Sequence, residues 1–294
     1  MAKIHTIKSG HYEASIHTTG ASLWSLRFKG EDYIPNCAEV DPSISYHGSV
    51  IAPWPNRIRD GKYQFAGRNF EVPVNESNRN NALHGFSAPK RWKIGRKTSS
   101  SVTLTTTVGG EKGYPAVLSL VVTYRLARTG LTMKFSARNT SISRTPFGFA
   151  FHPYLKTPGD QSPALRITAK TVLLVDSERL LPLEEATVEG TEFDFRASRK
   201  ANLEFLDHAF SDFDWDLEGK TFAQISGATG KRVSVTWDHV LPWIQIHRPN
   251  RPELQGALVV EPMTSPPDAF NSGRDVRVLE ANEIFESKIQ INCS

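Results

Sequence analysis

The sequence is poor in features that mark many other classes of protein. It has only two cysteines, Cys37 and Cys293, which lie far apart and lack the spacing of a metal or redox motif, so we expect two free thiols. No apolar run approaches the roughly 18 residues that a membrane-spanning helix needs, so no membrane partner is expected. The N-terminus lacks the apolar core of a secretory signal peptide, which predicts a cytoplasmic location.

The sequence also lacks a large excess of charge of one sign. The chain carries 35 Lys and Arg against 31 Asp and Glu, a formal net charge of +4 over 294 residues. Its densest basic stretch, residues 90–97, has one interleaved aromatic residue and no recognition motif, which is typical of a solvated strand and turn. We therefore expect no nucleic-acid partner. Because no glycine-rich phosphate loop or metal-ligand spacing is found, we expect no cofactor and no metal.

Helical periodicity is absent as well. No stretch of 12 or more residues has a convincing 3.6-residue period with caps. Short helical turns are allowed near residues 76–79 and 207–211. The dominant period is two, as in Leu131 to Arg138, which pairs with residues 117–126 in a predicted hairpin. Further strands are predicted at residues 12–18, 23–28, 62–65, 102–108, 165–175, 232–237, 243–248, 257–261 and 284–292.

This series of short strands sets the fold class. Without alternating helices it excludes a doubly wound α/β fold and favours an all-β sandwich or barrel. The length of 294 residues is near the upper end for one hydrophobic core. Since the chain has no internal repeat, low-complexity tract or long linker, we predict a single domain over residues 1–294.

The strongest sign of chemistry is a histidine at the end of an apolar strand. The aromatic run from Phe147 to Phe151 stops at His152, and Pro153 cannot donate in a continuing ladder. Histidine, with an ordinary pKa of about 6.5, both gives and accepts protons near neutrality. The competing interpretation is a core histidine that bonds a backbone carbonyl.

Two more segments carry polar groups next to apolar ones. His84 lies in a tight turn before Gly85, and Glu261 directly follows the apolar strand Leu258 to Val260. A carboxylate is almost never buried without a partner, so Glu261 needs a partner, water or a functional role. The competing interpretation of Glu261 is a structural ion pair with a nearby arginine.

Together these segments resemble the aldose 1-epimerase (mutarotase) family, and its divergent bacterial branch in particular. The blocks that carry the resemblance run in family order and cover most of the chain. They are Asn56-Arg57-Ile58 with Asp60-Gly61-Lys62-Tyr63, Leu83-His84-Gly85, Phe151-His152-Pro153-Tyr154, Asp207-His208-Ala209-Phe210, Trp243-Ile244-Gln245, and Glu261-Pro262-Met263-Thr264 leading to Asp268-Ala269-Phe270-Asn271. Departures occur in the lead-in at residues 51–55, after His152, and at residues 280–283.

The resemblance implies a fold, a reaction and a set of site residues. The fold is the large antiparallel β-sandwich of galactose mutarotase-like proteins. The reaction interconverts the α and β anomers of a free aldose by ring opening, with Glu261 as general base and His152 as general acid. Desolvation should strengthen the base and favour an imidazolium beside it. The implied substrate-binding residues are Asn56, Arg57, His84, Asp207 and Gln245. A monomer or homodimer is expected.

Three alternatives remain open beside this interpretation. The first is an epimerase of a phosphorylated or sulfonated hexose, because Arg59, Arg79, Lys90 and Arg91 flank the matched segments. The second is a carbohydrate-binding domain without catalytic activity. The third is an iron site of two histidines and one carboxylate, built from His84, His152 and Glu261, although the close ligand spacing of such sites is missing. The sugar itself, whether a hexose, a pentose or an acidic sugar, is not indicated.

Overall fold

The structure is a computed structural model that describes residues 3–35, 45–110 and 113–294. Strands hold 53% of the residues and helices 3%, so the predicted all-β class is confirmed. Cys293 is a buried free thiol as expected, whereas Cys37 lies outside the described residues. No helix within the described ranges is long and apolar enough to cross a lipid bilayer.

Residues 4–155 supply sixteen of the described strands. They are β1 (Ile4–Ser9), β2 (Tyr12–His17), β3 (Ser22–Phe28), β4 (Glu31–Ile34), β5 (Ser49–Ile51), β6 (Arg57–Arg59), β7 (Lys62–Phe65), β8 (Arg68–Glu71), β9 (Asn81–Leu83), β10 (Lys93–Lys97), β11 (Ser101–Gly109), β12 (Val117–Ala127), β13 (Gly130–Asn139), β14 (Thr145–Phe147), β15 (Ala150–His152) and β16 (Tyr154–Leu155).

The second half adds further strands and two short helices. The strands are β17 (Ala164–Ile167), β18 (Ala169–Val175), β19 (Pro182–Thr187), β20 (Arg199–Lys200), β21 (Asp207–Phe213), β22 (Lys220–Ser226), β23 (Arg232–Asp238), β24 (Trp243–His247), β25 (Leu258–Met263), β26 (Arg277–Leu279) and β27 (Ile284–Cys293). The helices are a 3₁₀ turn at Pro252–Leu254 and α1 at Ala269–Ser272.

The structure corrects three local expectations. Asp207 to Ser211 is not a helical turn but the start of β21, because it pairs on both sides with β18 and β24. Residues 76–79 form a reverse turn in which the Arg79 amide donates to the Glu76 carbonyl at 3.1 Å. Residues 165–175 are not one strand, since the chain leaves β17 at Thr168 and enters a different sheet as β18.

Two large antiparallel sheets dominate the fold. One has nine strands in the order β10-β11-β12-β13-β27-β23-β22-β17-β20. The other has eight, in the order β19-β18-β21-β24-β25-β15-β5 with β16 also paired to β25. A four-stranded sheet, β1 to β4, and the small pairs β14-β26, β6-β9 and β7-β8 complete the described strands.

The main hydrophobic core lies between the two large sheets. Tyr124 of β12 contacts Phe151 of β15 with ring centroids 6.3 Å apart. Phe213 of β21 meets Trp237 of β23 edge-on at 5.4 Å. Burial of such aromatic side chains is the largest favourable term in folding, at about 25 cal/mol per Å² of apolar area. The inner face of the eight-stranded sheet is therefore committed to stability.

The outer face of the eight-stranded sheet is different. A small apolar cluster, which includes Ala150, Ala209, Trp243 and Met263, covers part of this face. Side chains alternate between faces along a strand, so Gln245 lies on the same outer face as Trp243. This face therefore carries Gln245 where the opposite face carries core side chains.

Candidate active site

A polar row crosses the outer face of the eight-stranded sheet. In the register, Glu261 of β25 lies opposite Gln245 of β24, and His247 of β24 lies opposite Asp207 of β21. Residues that face each other across antiparallel strands project on the same side, at Cβ separations of about 5 Å. The register alone therefore brings four polar side chains together, and β15 adds His152 at the end of its strand.

The small β6-β9 pair supplies the opposite wall. Asn56 and His84 both have positive φ, +53° and +59°, and they bracket this pair. The His84 amide donates to the Asn56 carbonyl at 2.9 Å, and the Asn56 amide donates to His84 Nδ1 at 3.2 Å. Because Nδ1 accepts this bond, the neutral ring carries its proton on Nε2. These two mutual bonds fix the orientation of the imidazole.

All seven residues predicted from the sequence line one cavity of about 400 Å³. They are Asn56, Arg57, His84, His152, Asp207, Gln245 and Glu261. The volume lies at the small end of the range for small-molecule sites. Other lining residues include Tyr46, Glu76, Arg79, Tyr154, Leu180, Phe205, His247 and Arg251.

Glu261 is the most buried ionisable group of this cavity, with 1% of its area exposed. Burial raises its pKa well above the ordinary value of 4.5, and the Asp207 carboxylate adds to the rise against the opposing effect of Arg57. Its Oε1 has no hydrogen-bond partner among the described residues. A buried carboxyl oxygen without a partner is costly, so its retention on a cavity wall indicates a ligand site.

His152 faces this carboxyl group. Its Nε2 lies 3.7 Å from Glu261 Oε2, and its ring meets that of His84 edge-on at a centroid distance of 5.2 Å. Burial, reinforced by His247 and His47, lowers the pKa of His152 to about 3. The expectation that the carboxylate would favour an imidazolium here was wrong, because desolvation of the charged ring outweighs the attraction.

His84 is the second imidazole beside the carboxyl group. Its Nδ1 lies 3.9 Å from Glu261 Oε1. Burial, followed by the effects of His152 and Arg57, lowers its pKa well below 6.5. His84 is thus a neutral donor through Nε2, which suits hydrogen bonding to a substrate oxygen.

Arg57 is held by a partner that the sequence did not suggest. Its Nε donates to Glu76 Oε2 at 2.9 Å and its Nη2 donates to Glu76 Oε1 at 3.0 Å. Burial alone would lower the pKa of Arg57, but Asp207 and Glu76 raise it overall. The arginine-carboxylate pair considered for Glu261 therefore exists at Glu76 instead. Two of the five Arg57 N–H groups donate to Glu76, and Nη1 also donates to Asn56 Oδ1 at 3.2 Å.

Asp207 and Gln245 form the next pair in the row. Gln245 Nε2 donates to Asp207 Oδ1 at 2.6 Å, and Arg57 Nη2 lies 3.8 Å from Asp207 Oδ2. Burial alone would raise the pKa of Asp207, but His247 and Arg57 outweigh it and leave the value below 3.8. Asp207 is therefore ionised at neutral pH and presents acceptors for hydroxyl groups.

Several polar atoms of the cavity wall are buried without a hydrogen bond. Among the described residues these include Arg79 Nε, Gln245 Oε1, His247 Nδ1 and Glu261 Oε1. Buried polar groups are hydrogen-bonded in the great majority of proteins. The concentration of exceptions on one concave surface indicates a site for a polar ligand.

Three residues of the cavity meet one condition for a metal site. Ligand atoms of His84, His152 and Glu261 lie within 4.8 Å of one another. However, the His84 nitrogen nearest the carboxyl group already accepts the Asn56 amide hydrogen. A metal ligand needs that lone pair, so this imidazole is committed to the backbone rather than to an ion.

Several lining residues were not predicted from the sequence. His247 follows Gln245 by two positions on a strand, so the alternation that placed Gln245 could also have placed His247. Glu76 offered no such signal, because its role depends on a contact with Arg57 across 19 positions. Tyr46 contacts the His84 ring at 4.6 Å, and no periodicity of the sequence marks it.

The four basic residues considered for an anion are scattered. Arg79 lines the cavity, and its Nη1 lies 3.4 Å from Glu76 Oε1. Arg59 is bound outside the cavity to Asp268, with 3.5 Å between Nε and Oδ2. Neither Lys90 nor Arg91 belongs to the described lining, whereas Arg251, which was not considered, does.

Comparisons with known proteins agree with this site. A family model described as aldose 1-epimerase matches residues 3–292. The chain is 35% identical over 283 residues to the uncharacterized protein YihR of Escherichia coli (strain K12), covering 95% of this chain and 89% of that protein. It is 28% identical over 250 residues to galactose mutarotase of Mus musculus, covering 77% of this chain and 72% of that protein.

Solved structures extend the likeness to the whole fold. A putative aldose 1-epimerase from Escherichia coli K12 superposes with a TM-score of 0.87 at 18% identity, covering 100% of this chain and 99% of that one. A homologue of aldose epimerases from C. elegans gives a TM-score of 0.87 at 19% identity, again covering 100% and 99%. These likenesses show the galactose mutarotase-like architecture.

Proposed function

The chain belongs to the aldose 1-epimerase family, and from that premise we propose that its cavity interconverts the α and β anomers of a free aldose. Membership makes the protein an isomerase that acts on carbohydrates. The observation that carries the specific proposal is the buried Glu261 carboxyl group. Its Oε1 has no hydrogen-bond partner among the described residues. His152 Nε2 lies 3.7 Å from its Oε2, and His84 Nδ1 lies 3.9 Å from its Oε1.

The reaction needs one base and one acid on opposite sides of the acetal carbon. Glu261 accepts the proton of the C1 hydroxyl while His152 donates a proton to the ring oxygen, and the C1 to ring-oxygen bond breaks. The open-chain aldehyde rotates about C1–C2 and presents its other face. Ring closure returns the proton from the former ring oxygen to His152 and the proton of Glu261 to the new C1 hydroxyl. No proton is gained or lost.

The two pKa shifts support these roles. Burial raises the pKa of Glu261, so its carboxylate is a stronger base than one in water. Burial lowers the pKa of His152 to about 3, so its imidazolium is a stronger acid than free imidazolium. In the reactive form the pair holds a single proton, which sits on His152. Two groups whose environments push their pKa values in opposite directions are typical of acid and base partners.

The surrounding side chains hold the sugar in this proposal. His84 Nε2 donates to an oxygen near C1, and Arg57 offers the N–H groups that Glu76 and Asn56 leave free. Asp207 and Gln245 bind further hydroxyls. Such positioning lowers the entropic cost of bringing C1 to the acid and the base.

Two substitutions test the acid and base. Glu261→Gln keeps the side-chain shape and His152→Asn keeps a polar group near Nδ1, but both remove proton transfer, so each should reduce the rate of anomer exchange by about 10²- to 10⁴-fold. The measurement is polarimetric or NMR-detected equilibration of pure α anomers of a panel of hexoses and pentoses. Glu286→Gln and His239→Asn change the same residue types at exposed positions and should leave the rate unaltered.

Each outcome has a definite meaning. Unchanged exchange in both site variants would reject the assigned mechanism. Sugar binding without any anomer exchange by the wild-type protein would replace the enzyme with a binding domain.

A second substrate class has one observation in its favour. Arg79 and Arg251 line the cavity beyond the Arg57 pair, and a cationic wall is suited to a phosphorylated or sulfonated hexose. The decisive measurement compares kcat/KM for neutral hexoses with that for their 6-phosphates and 6-sulfonates. A preference for anionic sugars that is lost in Arg251→Gln supports this class, and a preference for neutral sugars dismisses it.

A further inference from the structure

We propose that His247 is a further substrate-binding residue, which recognises the hydroxyl group at C4, the ring carbon opposite C1. This inference rests on the proposed anomerase function and deepens it. It makes the enzyme selective for pyranoses that carry a hydrogen-bonding group at that position.

The strand register places His247 at the far end of the polar row. It lies opposite Asp207 on β21 and two residues along β24 from Gln245. Glu261 is one strand away from Gln245, so His247 lies diagonally from Glu261 at about 8 Å between backbones, from strand spacings of 4.8 Å and 3.3 Å per residue. A pyranose can bridge such a length when its C1 end meets Glu261 and C4 points toward His247.

The two ring nitrogens of His247 have different surroundings. Nδ1 is buried and lies 3.7 Å from Asp207 Oδ1, but it has no hydrogen bond within the described part of the chain. The side chain nevertheless keeps 34% of its area exposed. Nε2 is not one of the buried unpaired atoms of the described residues, and His247 lines the cavity. This geometry leaves Nε2 open to a ligand and places the other ring nitrogen beside Asp207.

Neighbouring groups leave this role to His247. Asp207 Oδ1 is already occupied by Gln245 Nε2 at 2.6 Å, and Asp207 Oδ2 faces Arg57 at 3.8 Å. Asp207 and Arg57 together suit one hydroxyl, which donates to the carboxylate and accepts from the guanidinium. His247 Nε2 is free to bind the next hydroxyl along the ring.

The test pairs protein variants with deoxy sugars. His247→Phe keeps the ring but removes both nitrogens, His247→Gln puts an amide near the position of Nε2, and His247→Asn puts one near Nδ1. The sugars are D-galactose, its 4-deoxy form and, as a control next to the reacting carbon, its 2-deoxy form. D-Glucose, which shares the same 4-deoxy product, serves as a second parent sugar. His239→Phe is the matched control for the substitution, because His239 is exposed outside the cavity lining.

Loss of one ligand hydrogen bond should raise KM for the parent sugar about tenfold in His247→Phe, with a much smaller change of kcat. The 4-deoxy sugar should show no such rise, and His247→Gln should recover most of the affinity while His247→Asn should not. Equal effects on the 4-deoxy and parent sugars, or an unaltered KM, would overturn the role of His247 while anomer exchange persists. If the wild-type protein exchanges no anomers at all, the proposed function fails and this inference fails with it.

Discussion

Two buried ionisable side chains of the same cavity have opposite surroundings. Arg57 is 7% exposed and engages Glu76 through two N–H groups, so its charge is compensated before any ligand binds. Glu261 is 1% exposed and keeps an oxygen without a hydrogen bond among the described residues. The paired Arg57 is held rigidly, whereas the unpaired carboxyl group of Glu261 has a raised pKa, which suits proton transfer. Both stability and activity therefore respond to single substitutions here.

Glu261→Gln should stabilise the fold at neutral pH while it abolishes activity. The folded-state pKa of Glu261 is raised above 4.5, so from that pH upward the folded protein holds a proton that the unfolded chain releases. Wild-type stability therefore falls as pH rises through this window. The amide that replaces the carboxyl group in the variant does not titrate, so the variant does not lose stability through this group as the pH rises. Urea unfolding over a pH series that starts at pH 4 should show its advantage growing as the pH rises above 4.5.

The control for this prediction is Glu286→Gln, which changes an exposed glutamate of β27 and should give a difference that barely depends on pH. If the advantage of Glu261→Gln shrinks with rising pH, the carboxyl group is not destabilised by burial and the proposed base strength is lost with it.

Glu76→Gln should weaken both the fold and sugar binding. Breaking one partner of a buried ion pair leaves the other charge uncompensated, at a cost of about 3 kcal/mol. The loosened guanidinium should also raise KM more than it lowers kcat. Denaturant unfolding and anomer-exchange kinetics measure the two effects.

Glu13→Gln is the matched control for that substitution, because the Lys8–Glu13 pair has side chains 68% and 33% exposed. Exposed pairs contribute about 0–1 kcal/mol, so little change is expected. Equal losses in the two variants would show that Arg57 does not depend on Glu76.

At the scale of elements, the sequence predicts what local periodicity determines. Alternation placed Gln245 on the face opposite Ile244 and Ile246, and the structure agrees. The apolar run before Glu261 is indeed the central strand β25, flanked by β24 and β15. These features depend on neighbours within a few residues, so they need no knowledge of the tertiary fold.

Features that depend on distant partners were beyond the sequence. The run at residues 165–175 is uniformly β-forming, but its division at Thr168 follows from pairing with β22 on one side and β21 on the other. Aspartate is rare in strands, so Asp207 looked compatible with a turn. Its conformation is decided instead by pairing with neighbouring strands. Glu76 and Tyr46 lie outside the strands, where no period marks the inward-facing residue.

The turn after β9 gives a prediction at this scale. Gly85 has φ of +61°, and a Cβ there would meet the Ala52 carbonyl oxygen at 2.3 Å. Gly85→Ala should therefore cost more than the 1–2 kcal/mol of left-handed strain alone and should displace the adjacent His84, with loss of kcat/KM. Thermal unfolding and anomer-exchange rates at low temperature separate the two effects.

Gly67 offers a matched comparison, because its φ is +73° but a Cβ there meets nothing within 4 Å. Gly67→Ala should lose about 1–2 kcal/mol and retain full activity. Similar losses in the two variants would mean that the contact with Ala52 does not constrain the turn that presents His84.

At the scale of the whole molecule, distant parts of the chain are interleaved. The last strand, β27, lies in the middle of the nine-stranded sheet between β13 and β23. Near the other end of the sequence, the Tyr12 hydroxyl donates to the Cys293 carbonyl at 3.0 Å and accepts from the Cys293 amide at 2.8 Å. The main core cluster includes side chains from both large sheets. Neither of the two large sheets is built from one half of the sequence alone.

We therefore propose that residues 1–294 form one cooperative domain, as the absence of a linker in the sequence predicts. Trp237 reports on the nine-stranded sheet and Trp243 on the eight-stranded sheet, so single-tryptophan variants at these positions can follow each sheet by fluorescence. Both signals and far-UV circular dichroism should follow one urea transition with the same midpoint. Because β13 and β23 pair through β27, a chain ending at Leu279 should not fold. Separate midpoints, or a folded truncated chain, would instead divide the molecule into independent units.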